Sequence, residues 1–93
     1  MEAQLDIANN LSTYVENSAI LADLKAKIKY LDNKLETLDT NIKLCEMIDS
    51  PLTANRLAEQ YNELNLKRIC LNLKANLVEQ ELLLFELEAA TRD

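Results

Sequence analysis

The sequence predicts an all-α fold: an antiparallel coiled-coil helical hairpin that assembles further into a four-helix bundle. Three observations lead there. The 93 residues include no glycine and a single proline. Each half of the chain carries a sustained apolar heptad. The two heptads align when the chain is folded back at that proline. Without glycine, the turns that need a positive φ are largely closed to the chain, and a β-rich fold of this length needs several of them. Apolar residues make up 48% but aromatics only 4%, so leucine and the other aliphatics must form the core.

The first seventeen residues are the least decided stretch. Asn9-Asn10, Ser12-Thr13 and Asn17-Ser18 are poor helix-interior residues, because their side chains compete for the backbone. Thr13 with Glu16 has the spacing of a capping box. Residues 1–17 therefore read either as a weak helical extension from about Leu5 or as a short separate arm of Leu5, Ile7, Ala8, Leu11 and Val15. In the second case the arm folds back as a third helix, and a three-helix bundle becomes the alternative fold.

Residues 18–93 read as the hairpin itself: helix 18–48, turn 49–51, helix 51–91. In the first helix Leu21, Leu24, Ile28, Leu31, Leu35, Leu38, Ile42 and Cys45 step by alternating threes and fours. That spacing is the a/d seam of a coiled coil. Its outer face carries Asp23, Lys29, Asn33, Glu36, Thr40 and Lys43, a solvated set. Asp49-Ser50-Pro51 is the punctuation. Serine is a preferred N-cap and proline suits the first helical position, so the pair ends one helix and starts the next.

The second helix has the matching seam: Leu57, Tyr61, Leu64, Arg68, Leu71, Ala75, Val78, Leu82, Phe85 and Ala89. In a hairpin, facing residues have position numbers with a constant sum. Reversal at Ser50-Pro51 pairs Cys45 with Leu57 and Leu21 with Leu82, with sums alternating between 102 and 103 over eight layers. In that register Arg68 faces Leu35, its head reaching outward towards Asp32 or Glu36. Cys45 and Cys70 lie too far apart to bridge, and both read as small hydrophobes.

The second helix also carries a second seam. Leu66, Cys70, Leu73, Leu77, Gln80, Leu84 and Leu87 again alternate fours and threes, flanked by Ile69 and Leu83, on the side away from the first seam. Asn65, Asn72, Glu79 and Glu86 border it on one side; Lys67, Lys74, Glu81 and Glu88 border it on the other. A helix apolar on two opposite faces has to be covered on both, and the hairpin covers one. Leu66, Ile69, Cys70, Leu73, Leu77, Leu84 and Leu87 are therefore the candidate protein interface. Its occupant is a second copy giving a homodimer, a helix of a different protein, or the N-terminal arm. Lys27, Lys34, Lys67 and Lys74 all fall at g positions and form one lysine flank, a candidate docking edge or else ordinary solvated charge.

Composition excludes most chemistry. There is no histidine, so His-assisted nucleophiles and His-based acid–base work are absent. No glycine means no P-loop or dinucleotide fingerprint. Two cysteines cannot build a four-cysteine zinc site. No cofactor, metal or catalytic residue is expected, and the protein is not expected to be an enzyme. The net charge of −6 disfavours nucleic acid and anionic membranes as partners. Apolar runs stop at four residues, as at Leu82–Phe85, and the first residues include Glu2 and Asp6, so a soluble, cytoplasmic protein is expected. The functional expectation is a non-enzymatic assembly protein, homo-oligomeric through the outer seam. The alternative is a small acidic adaptor, co-chaperone or inhibitor that docks a helix of another protein.

Overall fold

The computed structural model describes residues 2–91, with side chains from residue 11 onward. It consists of two helices, α1 (Glu2–Met47) and α2 (Pro51–Thr91). The molecule measures 71 × 18 × 14 Å. A helix of α1's 46 residues is itself about 69 Å long, so α1 sets the length and α2 lies alongside it.

α1 is unbroken from Glu2. The short separate N-terminal helix of the three-helix alternative is therefore not formed among the described residues; that stretch is the first part of α1. Leu5, Ile7 and Ala8 lie outside the described side chains. The polar residues there cost only a few tenths of a kcal/mol each relative to alanine, and cross-helix contacts offset this. The Tyr14 ring stacks on Phe85 with centroids 4.8 Å apart and 30° between planes. Tyr14 Oη donates to Glu86 Oε1 at 2.9 Å, and Asn17 Nδ2 donates to Glu81 Oε2 at 3.0 Å. Thr13 and Glu16 sit in mid-helix, so they do not mark a helix start.

The turn is tight. Ser50 N–H donates to the Cys45 carbonyl at 2.9 Å and Asp49 N–H to that of Glu46 at 3.2 Å. With Asp49 at φ 56°, this is the Schellman arrangement, in which a left-handed residue lets the chain fold back onto the last helical carbonyls. Glycine is the usual occupant; here an aspartate takes the place. Ser50 then opens α2: its carbonyl accepts from Ala54 N–H at 3.1 Å, and its hydroxyl bonds the Thr53 hydroxyl at 3.2 Å. Ser50 and Pro51 stand at the N-cap and the first helical position, as their chemistry predicts.

Both predicted inner seams are the faces that meet. From Leu21 to Cys45 and from Leu57 to Phe85, every seam residue is buried or half-buried; Ala89 is exposed. The best-buried side chains are Leu24, Leu31, Leu35, Ala54 and Ala75. Register is where the structure departs from the sequence reading. The contacts Tyr14–Phe85, Tyr14–Glu86, Asn17–Glu81 and Asp32–Arg68 have position sums of 99, 100, 98 and 100, about three below the expected 102–103. Lys25–Glu79, an ion pair at 3.2 Å, sums to 104 and is a lysine reaching diagonally. The turn itself lies within one residue of its expected place, with α1 ending at Met47 and α2 beginning at Pro51. A tight reversal there sets the sum near 98–99, so the shift lies in the layer pairing and not in the turn. At a sum of 99, Leu24 lies opposite Ala75 and Cys45 opposite Ala54. Small residues there allow the helices to approach closely, which is why both alanines are buried.

Arg68 is half-buried in the seam, and its guanidinium bonds the Asp32 carboxylate. The stem packs inside while the head leaves to the side.

Candidate interaction surface

On α2 the two seams have opposite fates. The inner seam is covered by α1. The outer seam is bare: Leu66, Ile69, Leu73, Leu77, Leu83, Leu84 and Leu87 retain 46–65% of their surface, and Cys70 is exposed as a free thiol. All seven residues named from the sequence as the interface thus lie on the uncovered side of one helix. Their spacing of 1.5 Å per residue spreads Leu66 to Leu87 over about 32 Å, a continuous apolar strip. Among the described residues nothing covers it, because α1 runs along the other side of α2.

The strip is not flat. Between the helices an open groove of about 500 Å³ is lined by Leu66 and Cys70 of the outer seam and by Leu31 and Leu71 of the inner one. Tyr30 forms a wall, and Lys27, Lys67 and Lys74 stand at the rim. Further along α2, Gln80, Leu83, Leu84 and Leu87 frame a second depression of about 300 Å³. The lysine flank therefore adjoins the first half of the apolar strip.

The four lysines differ in their pairing. Lys27 meets Asp23 at 3.0 Å, one turn back. Lys34 Nζ stands 5.2 Å from the centre of the Tyr30 ring, a cation–π distance. Lys67 and Lys74 have no ion-pair partner among the described residues, and Lys74 shares the groove rim with Lys27. The opposite flank is acidic: Asp32, Glu36, Asp39, Tyr61, Asn65 and Arg68 surround a polar hollow of about 320 Å³. Lys43 pairs with Asp39 at 3.0 Å on that side.

Sequence reasoning missed Tyr30. It is exposed, off the seam and isolated among aromatics, and only the groove gives it a role. It also missed a second apolar group at the turn end, where Leu44, Met47, Ile48 and Leu52 are exposed. Those residues follow no heptad, so periodicity does not single them out. At the open end the Tyr14 hydroxyl is held above its usual pKa, first by its hydrogen bond to Glu86 and then by that carboxylate's charge, with a smaller contribution from burial. The neutral phenol is the donor in that bond, so the shift is a property of the hairpin's closure.

Among the described residues no three Cys, Asp or Glu side chains gather as a metal site, and no helix is long and apolar enough to cross a membrane. Comparison with protein-family models, with curated proteins and with solved structures gives no match.

Proposed function

We propose that this protein is a non-enzymatic assembly module whose working face is the outer seam of α2, and that it acts by completing a helical bundle with other helices. The observation that carries this reading is the row Leu66, Ile69, Cys70, Leu73, Leu77, Leu84 and Leu87, exposed along one side of a helix whose other side is already packed. Surface area supports it. A compact chain of 10.6 kDa exposes about 5,500 Å², whereas this one exposes 7,376 Å². The excess of roughly 1,900 Å² comfortably exceeds the ~800 Å² per partner of an ordinary stable interface. A four-helix bundle with the α2 helices at its centre is the simplest way to cover it, and two-fold pairing is the commonest closed solution. The second reading, docking of a foreign helix, is favoured by one feature: the groove beside Tyr30 is apolar at its floor and rimmed by lysines, which suits an acidic amphipathic helix.

The test is the pair Leu73→Glu with Leu84→Glu. Light scattering of the wild type should give twice the chain mass or more, and the double variant should run as a monomer with its helicity retained. Loss of helicity in the variant would mean that the outer seam belongs to the core of the hairpin, and the proposal would fail. Turnover of any small substrate by the purified protein would also overturn it.

A further inference from the structure

Resting on that reading, we infer that the occupant of the outer seam is a second copy of this chain docked antiparallel, with the two-fold axis passing beside Leu77. The column of residues flanking the seam on its lysine side reads Lys67, Lys74, Glu81, Glu88, one per heptad. Two positive charges followed by two negative ones are complementary to their own reverse. In an antiparallel pair like columns face each other, so Lys67 of one copy meets Glu88 of the second, and Lys74 meets Glu81. Both pairs have position sums of 155. Symmetry doubles them to four ion pairs.

The rest of the face has the same centre. Leu66 with Leu87 sums to 153, and Cys70 with Leu84 to 154. Leu77 with its own mate gives 154, and on the far flank Ile69 with Leu83 gives 152. Leu73 with Gln80 also sums to 153, so apart from the two symmetry-related Leu73–Gln80 contacts the face sets apolar against apolar about the same midpoint at which the charges match. Parallel docking does the opposite. It sets the charged column against Ile69, Asn76 and Leu83, leaving the charges unpaired and apolar flank residues beside them.

The structure shows why the lysines need such a partner. Lys74 shares the rim of one groove with Lys27 and Lys67, a concentration of like charge in which, among the described residues, Lys27 alone has an ion-pair partner, Asp23. Glu81 uses Oε2 to accept from Asn17, which leaves its other oxygen for a lysine. The carboxylates at positions 81 and 88 of a second copy would bring negative charge to this positive rim, beside Lys67 and Lys74, which Asp23 does not reach.

The decisive experiment uses two charge variants of the full chain, Lys67→Glu with Lys74→Glu, and Glu81→Lys with Glu88→Lys. Each makes its column uniform, so each should self-associate on the order of 30-fold more weakly than wild type, from four pairs turned repulsive. An equimolar mixture should recover a heterodimer close to wild-type affinity, measured by analytical ultracentrifugation with helicity checked by circular dichroism. Variants that self-associate as tightly as wild type would overturn the antiparallel arrangement while leaving the outer seam as the interface. A wild type that stays monomeric at about 100 µM, tenfold or more above the Kd of a stable dimer, would overturn the second copy as occupant. A dimer that survives Leu73→Glu with Leu84→Glu would sink the seam itself. Cysteine chemistry gives a check that does not depend on charge. In a Cys45→Ala background, Leu84→Cys should link to Cys70 of the second copy on oxidation. Cys70 alone should not cross-link, being about 21 Å from its mate along the helix direction. A Cys70–Cys70 disulfide dimer would instead mean parallel docking.

Discussion

Both faces of α2 carry an apolar heptad, yet one holds the hairpin together and the other is left to the surroundings. The inner face has α1 over it, so Leu71 and Val78 are half-buried and Ala75 is buried. The outer face presents Leu73, Leu77 and Leu84 to solvent at about the exposure of ordinary surface residues. What separates them is the partner and not the pattern, since both share the heptad spacing and it is the covered face that includes Arg68 and the smaller Ala75. α1 has one seam only. Its outward positions carry Asp23, Lys29, Asn33, Glu36 and Lys43, so among the described residues the long uncovered apolar row lies on α2.

The largest expected effect breaks that comparison at its strong side. Leu35 is 7% exposed, and Leu35→Ala should destabilise the chain by about 2–3 kcal/mol, the low end of the core range because a two-helix core relaxes easily. Leu73→Ala should leave the unfolding of the isolated hairpin within about 0.5 kcal/mol. Its effect should show up instead in how the melting temperature depends on concentration. Denaturant titrations at two protein concentrations separate the two. Equal losses for both variants, independent of concentration, would erase the distinction between the faces.

The two faces were unequally legible in the sequence. Both inner seams could be read because leucine recurring at alternating threes and fours puts one apolar stripe on a helix, and Ser50-Pro51 marks the start of α2 by its own chemistry. Register was not legible to better than half a heptad. Shifting α2 by three residues exchanges a for d positions and leaves every seam residue in the seam, so the pattern fits both alignments. The turn decides between them, and it depends on Asp49 taking a left-handed conformation, which aspartate tolerates better than most residues but does not signal as glycine does. The helical start before Thr13 was equally hidden, because it is secured by Tyr14 on Phe85, a contact between opposite ends of the chain. The outer seam was legible in full as a row; Tyr30, whose role comes only from the groove, was not.

A middle-sized effect is expected at Arg68, the charged residue in the inner seam. Its pairing with Asp32 is half exposed, so the ion pair itself contributes at most about 1 kcal/mol. Arg68→Ala should cost about 1–2 kcal/mol through the lost stem packing. Arg68→Leu should leave stability unchanged or raise it by up to about 1 kcal/mol, since a hydrophobic side chain of similar reach fills the seam without a charge to desolvate. Thermal melts of the two variants check this. A large loss in Arg68→Leu would mean that the Asp32 contact fixes the alignment of the helices.

A smaller gain is expected at the turn. Asp49 holds φ 56°, a conformation that costs a residue with a Cβ about 1 kcal/mol or more. Glycine removes that cost but brings extra freedom to the unfolded chain. Asp49→Gly should therefore stabilise by about 0.5 kcal/mol, visible as a small rise in the denaturant midpoint with no change in slope. Asp49→Val should destabilise, because a β-branched residue resists the left-handed region most.

The smallest effect lies at the open end, where the comparison between covered and uncovered faces gives out. The Tyr14 hydroxyl donates to Glu86 only while it is protonated, and its pKa is raised in the folded hairpin. A group whose folded pKa lies above its unfolded value contributes stability in full below the unfolded pKa and loses it as pH rises through the folded one. The Tyr14–Glu86 contact should therefore hold across the neutral range and weaken only above about pH 10. Spectroscopic titration should show a phenol ionising above the usual tyrosine range, and Tyr14→Phe should remove that component while keeping the ring against Phe85.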